Sequence, residues 1–155
     1  MISSEYAAGF FVGEGCVNFS KRGRSRQQFL RVMITNTDPQ ILSDLQETFG
    51  GRLAKPRVLA DGWKAFRQLI LVGEEGFKFL RIVYPYLRLK KKQADLAFRF
   101  EFFRALPKSE RCNFEHRPLP KMPHRIVAKV KSEVLEEEHR MFLEMKELNK
   151  KGKKK

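Results

Sequence analysis

Hydrophobic and polar positions change period several times along the chain, and each change predicts a new element. Serines at positions 3 and 4 can cap a helix that ends at Gly15. From Cys16 the period is two, which predicts a half-buried strand. A second strand is predicted over residues 27–36, with one apolar face formed by Leu30, Val32 and Ile34.

The middle of the chain repeats the order helix, strand, strand. Asp38-Pro39 supplies a helix cap and a first helical residue, and Gly50-Gly51 ends that helix. Residues 52–59 and 63–72 are predicted to form a hairpin, because the Asp-Gly pair between them is a strong hairpin signal. A further helix is predicted over residues 74–83, with three apolar side chains available for burial, Phe77, Leu80 and Ile82.

The last third of the chain predicts two more helices separated by a loop. The first helix carries amphipathic spacing at Leu89, Leu96, Phe100 and Phe103. Residues 107–123 contain four prolines and are expected to form a loop, and near-heptad spacing then predicts a final helix with Val127, Val130, Val134, Met141, Met145 and Leu148. The order of elements indicates an α+β fold with helices on one face of an antiparallel sheet. We therefore expect a core domain over residues 1–106, a proline-rich loop and C-terminal helix over 107–149, and a basic tail over 150–155.

The charge of the chain narrows the class of partner. With 32 Lys+Arg against 18 Asp+Glu, the net charge is +14, and about +9 remains without the lysine tail. A protein with this charge attracts phosphate backbones. The charge alone does not show whether the partner is DNA, RNA or an acidic membrane surface. No apolar run suits a membrane span, so no membrane partner is expected. Cys16 and Cys112 are too few for a disulfide scaffold, which indicates an intracellular, reducing compartment.

The first helix carries an unusual pair of glycines. Gly9 and Gly13 lie four residues apart inside a helix, where each glycine costs about 1 kcal/mol relative to alanine. Close packing of a second helix would explain them, because two backbones can then touch. Glu14 follows at the end of the helix where a negative charge is unfavourable and a bound cation would be favourable. A tight helix end with a solvated glutamate is the alternative, and the spacing alone does not decide between the two.

The segment Ala7-Ala8-Gly9-Phe10-Phe11-Val12-Gly13-Glu14-Gly15 resembles the defining motif of the LAGLIDADG homing endonucleases. Residues 86–94 are similar to the lysine-rich segment of the single-motif members that act as homodimers. The resemblance covers about residues 3–106 and implies an αββαββα domain with an antiparallel, saddle-shaped sheet on helices, followed here by a C-terminal helix. Val12 departs from the motif, since an acidic residue usually stands there.

The resemblance also implies an activity and its residues. Glu14 matches the metal-binding carboxylate, Asn36 a polar residue that places water, and Lys90 the basic residue near the scissile phosphate. Gly13 is a second candidate metal ligand beside Glu14. The expected cofactor is Mg²⁺, with Ca²⁺ able to support binding without cleavage, because magnesium on carboxylate and substrate oxygens can activate water and stabilise the leaving oxygen. One motif per chain implies a homodimer joined through Gly9, Phe10, Val12 and Gly13.

The outward sheet face matches the DNA-reading surface of that family. Arg24 and Arg26, in the turn between the first two predicted strands, are candidate phosphate contacts. Arg88 and Lys92 are further candidates beside Lys90. Positive charge is unfavourable in the first turn of a helix, and a nearby phosphate would compensate for it. The candidate base contacts on the predicted outward face are Asn18, Ser20, Arg22, Gln27, Arg31, Met33 and Arg67.

The expected function is thus sequence-specific cleavage of both strands of a long pseudo-palindromic DNA site. Two alternatives stay open: an RNA maturase of the same fold that acts on intron RNA, and a noncatalytic nucleic-acid-binding module. The expected location is an organelle (chloroplast or mitochondrion) or a prokaryotic cytoplasm.

Overall fold

The structure is a computed structural model that describes residues 2–21, 28–116 and 126–150. The elements follow the predicted order through the first two-thirds of the chain. Their bounds are α1 Ser4–Glu14, β1 Gly15–Lys21, β2 Gln28–Asn36, α2 Pro39–Phe49, β3 Arg52–Leu53, β4 Arg67–Val72, α3 Glu74–Val83, a 3₁₀ turn Tyr84–Tyr86, α4 Lys91–Ala105, α5 Lys108–Arg111, β5 Cys112–His116, β6 Ile126–Val130 and α6 Ser132–Leu148.

The first four strands form an antiparallel sheet in the order β1-β2-β4-β3. Burial alternates along β2, and Leu30, Val32 and Ile34 are fully buried as the sequence pattern predicts. Gly15 at the start of β1 lies opposite Ile34, and Asn36 at the end of β2 lies opposite Arg67. The start of β1, the end of β2 and the start of β4 therefore meet at one end of the sheet, which is the end that follows α1.

The core lies between the sheet and the helices, which confirms the predicted α+β class. Phe11 of α1, Phe79 of α3 and Phe100 of α4 are among the largest fully buried side chains. The rings of Phe11 and Phe79 meet edge to face with centroids 5.3 Å apart, and Phe19 of β1 stacks on Phe100 at 4.3 Å. Each such aromatic side chain contributes about 1.5–3 kcal/mol by its burial. The first contact holds α1 against α3, and the second holds α4 against the sheet.

The predicted helix signals of α2 are confirmed. The side chain of Asp38 accepts a hydrogen bond from the amide of Gln40 at 2.8 Å, and Pro39 occupies the first turn. Gly50 ends the helix with a φ of 78°, a left-handed conformation that favours glycine.

The strands of the second hairpin are much shorter than predicted. β3 covers only Arg52–Leu53, and residues 59–65 contain the turn rather than strand. The predicted Asp-Gly turn is present, since the amide of Trp63 donates to the carbonyl of Ala60 at 3.1 Å and Gly62 has a φ of 81°. The hairpin therefore projects beyond the sheet instead of widening it.

Several predicted burial positions around α3 and α4 are corrected. Ile82 is exposed, because Phe79 and Val83 occupy the buried face of α3 instead. Leu89 precedes α4 and is also exposed, while Leu96 and Phe100 are buried as predicted. The spacing from Leu89 to Leu96 does not represent a single helix, since α4 begins only at Lys91.

The predicted loop from residue 107 is also corrected in part. Residues 108–111 form α5, and β5 pairs with β6 as a separate two-stranded sheet. Val127 and Val130 therefore lie in β6, not in the final helix. Their near-heptad spacing with Val134 does not represent one helix, because β6 ends at Val130 and α6 begins at Ser132.

Helix α6 packs on the same core as the N-terminal elements. Met141 and Met145 are buried in that core, and the side-chain amide of Asn149 donates to the carbonyl of Val17 at 2.7 Å. Glu138, only 2% exposed, accepts a hydrogen bond from the amide of Gln28 at 3.3 Å. Within the described ranges, no helix has the length and apolar character needed to cross a membrane.

Candidate functional site

The candidate site is built on the C-terminal end of α1. The helix ends at Glu14, and the amide of Gly15 donates to the carbonyl of Phe11 as the cap. A Cβ on Gly15 would collide with the Phe11 ring and would lie 2.6 Å from the Phe11 carbonyl oxygen. The φ of Gly15 is −93°, a value that any residue can adopt, so backbone conformation does not require glycine here. The close contact with Phe11 does. The tight exit leaves Glu14 exposed at the sheet end described above.

Lys90 closes the same helix end from another part of the chain. Its ammonium donates to the carbonyl oxygen of Phe11 at 3.0 Å and to that of Val12. These carbonyls belong to the last turn of α1, and the Phe11 oxygen thus accepts from the Lys90 ammonium as well as from the amide of Gly15. Burial lowers the pKa of Lys90, whereas electrostatic interaction with Cys16 and Glu14 acts to raise it. No local pattern could predict this contact, because Lys90 lies 78 and 79 positions from its two partners.

The backbone of Lys90 is itself unusual. Its φ of 64° lies in the left-handed region, where a non-glycine residue is uncommon. Lys90 is the N-cap of α4, and Arg88 lies two residues before it, so the prediction that both lie in the first helical turn is wrong. Lys92 does lie in that turn, and both Arg88 and Lys92 are exposed. The left-handed residue turns the chain so that the Lys90 side chain reaches α1.

Asn36 lies at the same end of the sheet. Its side-chain oxygen accepts a hydrogen bond from the amide of Asp38 at 2.8 Å, which holds the exit from β2. Gly15, the first residue of β1, pairs with Ile34 of β2, and Asn36 is two residues further along β2. Asn36 therefore lies beside the end of α1. The three residues that the sequence singles out as catalytic, Glu14, Asn36 and Lys90, thus come from three elements that meet in one region.

The donor set at this end suits a hard divalent cation only in part. Glu14 offers a carboxylate, and the carbonyl of Gly13 lies in the helix turn that lacks internal partners. Among the residues that the structure describes, no group of three or more His, Cys, Asp or Glu side chains could hold a metal ion. The described residues therefore supply oxygen ligands of the right kind but too few of them for a complete site.

The glycine face of α1 is open. Ala7, Ala8 and Phe11 form its buried face, whereas Gly9 and Gly13 are both exposed. A Cβ placed on either glycine meets no atom within 4 Å. Packing among residues 2–21, 28–116 and 126–150 thus gives no reason for the two glycines. The other two predicted interface residues, Phe10 and Val12, are half-buried on the same helix.

The face of the sheet that points away from the core carries most of the predicted base contacts. Asn18 lies opposite Arg31, and Met33 lies opposite Cys16, so these side chains share a face. Ser20 donates its hydroxyl to the side-chain oxygen of Asn18 at 3.3 Å. All of these predicted contacts are half-buried, and the Nε atom of Arg31 is buried without a hydrogen-bond partner. Arg22, Arg24, Arg26 and Gln27 lie outside the described residues.

Arg67 is a correction to that set. It pairs with Asn36, which places it on the same side as the buried Leu69 and Leu71, and its Nε atom donates to the carbonyl of Ala54 at 3.3 Å. Its neighbour Gln68 lies on the outward face instead and donates to the Thr35 hydroxyl at 3.1 Å. Thr35 and Gln68 were not among the predicted contacts, although the alternation of β4 relative to Leu69 and Leu71 indicates that Gln68 lies on the outward face.

Comparisons with known proteins agree on one fold. No family model and no curated protein sequence matches the chain. Among solved structures, the homing endonuclease I-CvuI in complex with its target is 23% identical, with 98% of this chain and 85% of that chain covered and a TM-score of 0.65. The archaeal intron-encoded homing endonuclease I-Vdi141I, complexed with DNA, is 15% identical, with 98% and 87% covered and a TM-score of 0.67.

A third solved structure carries the family name. The I-SmaMI LAGLIDADG homing endonuclease bound to cleaved DNA is 14% identical and has a TM-score of 0.62; the match covers 96% of this chain and 45% of that one. The sheet order, the position of α1 and the packing of the helices in this chain are therefore those of a known architecture. The chain has the fold of the LAGLIDADG homing endonucleases.

Proposed function

We propose that the chain is a sequence-specific homing endonuclease that hydrolyses phosphodiester bonds in both strands of a long, pseudo-palindromic DNA site with a divalent metal. The observation that carries the proposal is the exposed Glu14 at the end of α1, beside a glycine face that no described residue covers. The fold is shared with proteins that are described as homing endonucleases in complex with DNA.

Magnesium is the proposed cofactor. Glu14 and the carbonyl of Gly13 would hold it, since both present hard oxygen ligands. When bound, the metal supplies a Lewis acid that makes a water nucleophilic and stabilises the departing oxygen. Asn36 is suited to orient that water with its side-chain amide. Lys90 holds the end of α1 in place through the Phe11 and Val12 carbonyls, and from there its ammonium would contact the reacting phosphate. Calcium is expected to support DNA binding without cleavage.

A homodimer is proposed because a Cβ on Gly9 or Gly13 meets no described atom within 4 Å, so this face of α1 is free to pack on a second copy. A second copy packed along Gly9 and Gly13, flanked by Phe10 and Val12, would bring a second Glu14 to the centre of the assembly. Each subunit would then act on one DNA strand, which suits a site with approximate two-fold symmetry. The outward face with Asn18, Ser20, Arg31 and Met33 would read the bases, and the exposed Arg88 and Lys92 would contact phosphates.

The compartment proposed is an intracellular, reducing one, in an organelle or a prokaryotic cytoplasm. Cys16 and Cys112 are free thiols, and neither pairs with the other. Intron RNA is the competing partner within the same fold, and the experiment below separates it from DNA.

The test is selection of cleaved sequences from a randomised duplex library with Mg²⁺. A symmetrical consensus is expected from the unaltered chain, and none from Glu14→Gln, while Glu14→Gln should still shift a selected duplex in Ca²⁺. Glu47→Gln is the matched control, because Glu47 is exposed on α2, away from the site. Cleavage that persists in Glu14→Gln would remove Glu14 from the mechanism. Binding of structured intron RNA with no duplex cleaved would favour the maturase alternative instead.

A further inference from the structure

The paired strands β1 and β2 extend past the strand that flanks them. β4 ends at Val72, which lies opposite Arg31 of β2, and the amide of Gly73 donates to the carbonyl of Leu30 at 2.9 Å. Among the residues that the structure describes, no strand pairs with this edge of β2 beyond that point. Three residue pairs form this outer end of the β1–β2 pair: Leu30 with Phe19, Phe29 with Ser20, and Gln28 with Lys21.

Gln28 presents its backbone to the edge that lacks a neighbouring strand. Alternate residues of a strand direct their N–H and C=O groups to the same side, so Gln28 and Leu30 face the same edge. The backbone groups of Gln28 therefore point to where a longer β4 would lie. Gln28 is only 1% exposed, and an unpaired backbone group at such a position would be costly.

Side chains from two helices take the place of the absent strand. The amide of Gln28 donates to Oε2 of Glu138 on α6 at 3.3 Å, and the carbonyl of Gln28 accepts from Nη1 of Arg104 on α4. Nη1 of Arg104 lies 3.8 Å from Oε1 of Glu138, and the Arg104 guanidinium also lies over the ring of Phe100. We call Glu138 and Arg104 the Gln28 clamp, because together they bind both polar groups of one backbone residue.

Helix α6 contacts the other strand of the pair as well. The ammonium of Lys21, the last residue of β1, lies over the ring of Phe142 at 5.8 Å. The side-chain amide of Asn149 donates to the carbonyl of Val17 at 2.7 Å. Two strands with no flanking strand are only marginally stable in water unless something packs against them. The contacts from α4 and α6 therefore determine where the outer end of the β1–β2 pair lies.

We propose that Glu138 and Arg104 are positioning residues for DNA recognition, which fix the outer end of the β1–β2 pair and thereby set the base preference of that end. The inference rests on the proposed function, in which the outward face of these strands reads bases. Neither residue would touch DNA, since the clamp lies on the core side and the edge of β2. It would act through the position of Ser20 and its neighbours on the outward face.

The place of the clamp along β2 predicts which bases it affects. Gln28 is six residues from Ile34, which corresponds to about 20 Å of extended strand. Ile34 lies opposite Gly15, next to the proposed cleavage centre at Glu14. Binding groups need to be held within about 0.5 Å, so a loosened outer end should lose discrimination at the outer base pairs of each half-site. The central base pairs should keep theirs.

Hydrogen exchange tests the clamp in the free chain, without DNA. Glu138→Leu removes the acceptor, and NMR should show about a tenfold loss of protection at the Gln28 amide. Protection at Val32, which β4 flanks, should stay unchanged and so exclude global destabilisation. Glu144→Leu is the matched control, because Glu144 forms the exposed 2.6 Å ion pair with Arg99 between the same two helices. Protection of Gln28 that survives Glu138→Leu would overturn the clamp.

Selection from the randomised duplex library with Mg²⁺ tests the consequence for recognition. Glu138→Leu should retain the central consensus and discriminate about tenfold less at the outer positions, which is within the range of one bidentate base contact. Glu138→Gln should restore the outer preference, because its side-chain oxygen can still accept from the Gln28 amide. Glu144→Leu should match the unaltered chain. Arg104→Met removes the donor to the Gln28 carbonyl, should reproduce the outer loss, and carries the same test if Glu138→Leu does not fold.

The outcomes separate this inference from the proposed function. Absence of any consensus from the unaltered chain would overturn the proposed function, and the positioning role with it. A consensus that both Glu138→Leu and Arg104→Met keep in full would overturn the positioning role alone. An equal loss at central and outer positions would also overturn it, because that result is expected from a purely structural role.

Discussion

The ammonium of Lys90 donates a hydrogen bond to the carbonyl oxygen of Phe11 at 3.0 Å, so a residue before α4 completes the C-terminal end of α1. This contact links the basic segment to the helix end that carries Glu14. A second bond to the Val12 carbonyl gives the same ammonium two backbone partners in the last turn of α1. The basic segment therefore has a structural role in the folded chain alone, in addition to the catalytic role proposed for it.

Replacing Lys90 should destabilise the chain in the absence of DNA. Lys90→Met removes both hydrogen bonds and leaves the carbonyls of Phe11 and Val12 without this partner, and charged hydrogen bonds contribute about 1.5–3 kcal/mol each. We expect the free energy of unfolding in urea to fall by at least about 1 kcal/mol. Lys92→Met is the control, because Lys92 is exposed two residues further on. Identical unfolding curves for the two variants would show that the cap contributes nothing.

Gly9 and Gly15 should respond oppositely to alanine. Gly9→Ala adds a methyl group to open space within a helix and should stabilise the monomer by about 0.5–1 kcal/mol. Gly15→Ala must displace the Phe11 ring and backbone and should cost about 1–3 kcal/mol. Thermal unfolding at low protein concentration compares them. A loss of stability in the monomeric Gly9→Ala chain would mean that the glycine serves its own subunit.

Gly9→Leu tests the proposed interface separately. A large side chain fits the open space of the monomer, but it would hold a second α1 away. Sedimentation velocity should show dimers for the unaltered chain and monomers with an unchanged circular dichroism spectrum for Gly9→Leu. Intact Gly9→Leu dimers would place the interface elsewhere.

The buried Glu138 should make stability depend on pH. Burial raises the pKa of Glu138, against the opposing effects of the Gln28 amide, Arg104 and Arg111. Between the ordinary value of 4.5 and the raised pKa, the folded chain binds more protons than the unfolded chain, so stability falls as pH rises through that window. Glu138→Gln removes this titration. We expect the unaltered chain to lose stability relative to Glu138→Gln as pH increases from 4.5, measured by urea unfolding; a constant difference would contradict the shift.

Arg31 and Arg67 distinguish the outward sheet face from the core-side face. Arg31→Ala should relax the preference at one base position, at a cost of about 1–3 kcal/mol in discrimination, because Arg31 shares the outward face with Asn18. Arg67→Ala should leave the base preference unchanged, since Arg67 lies on the side of Leu69 and Leu71. Selection from the randomised library measures both, and a change caused by Arg67→Ala alone would reverse the assignment.

Local signals predicted most of the elements that build the site. The cap at Asp38, the alternation of β2 and the glycine at position 15 each depend on neighbours in sequence, and all three are present. The errors lie where a pattern crosses a boundary. Leu89 and Val127 match a helical period with residues in the following helix, yet one precedes α4 and the other lies in β6. The period of the hydrophobic residues does not show at which residue the hydrogen bonds of a helix or strand end.

The sequence by itself determined three features: the order of α1, β1, β2 and α2, the buried face of β2, and the position of Glu14 at a helix end. These features follow from the chemistry of neighbouring residues and from a hydrophobic period of two or 3.6 residues. Tertiary structure alone decided that Lys90 caps α1, that Arg67 faces the core side, that Glu138 is buried beside Gln28, and that the second hairpin overhangs the sheet. Each of these depends on register or on contacts between distant segments. Such contacts are determined by how whole elements pack, and no local pattern encodes them.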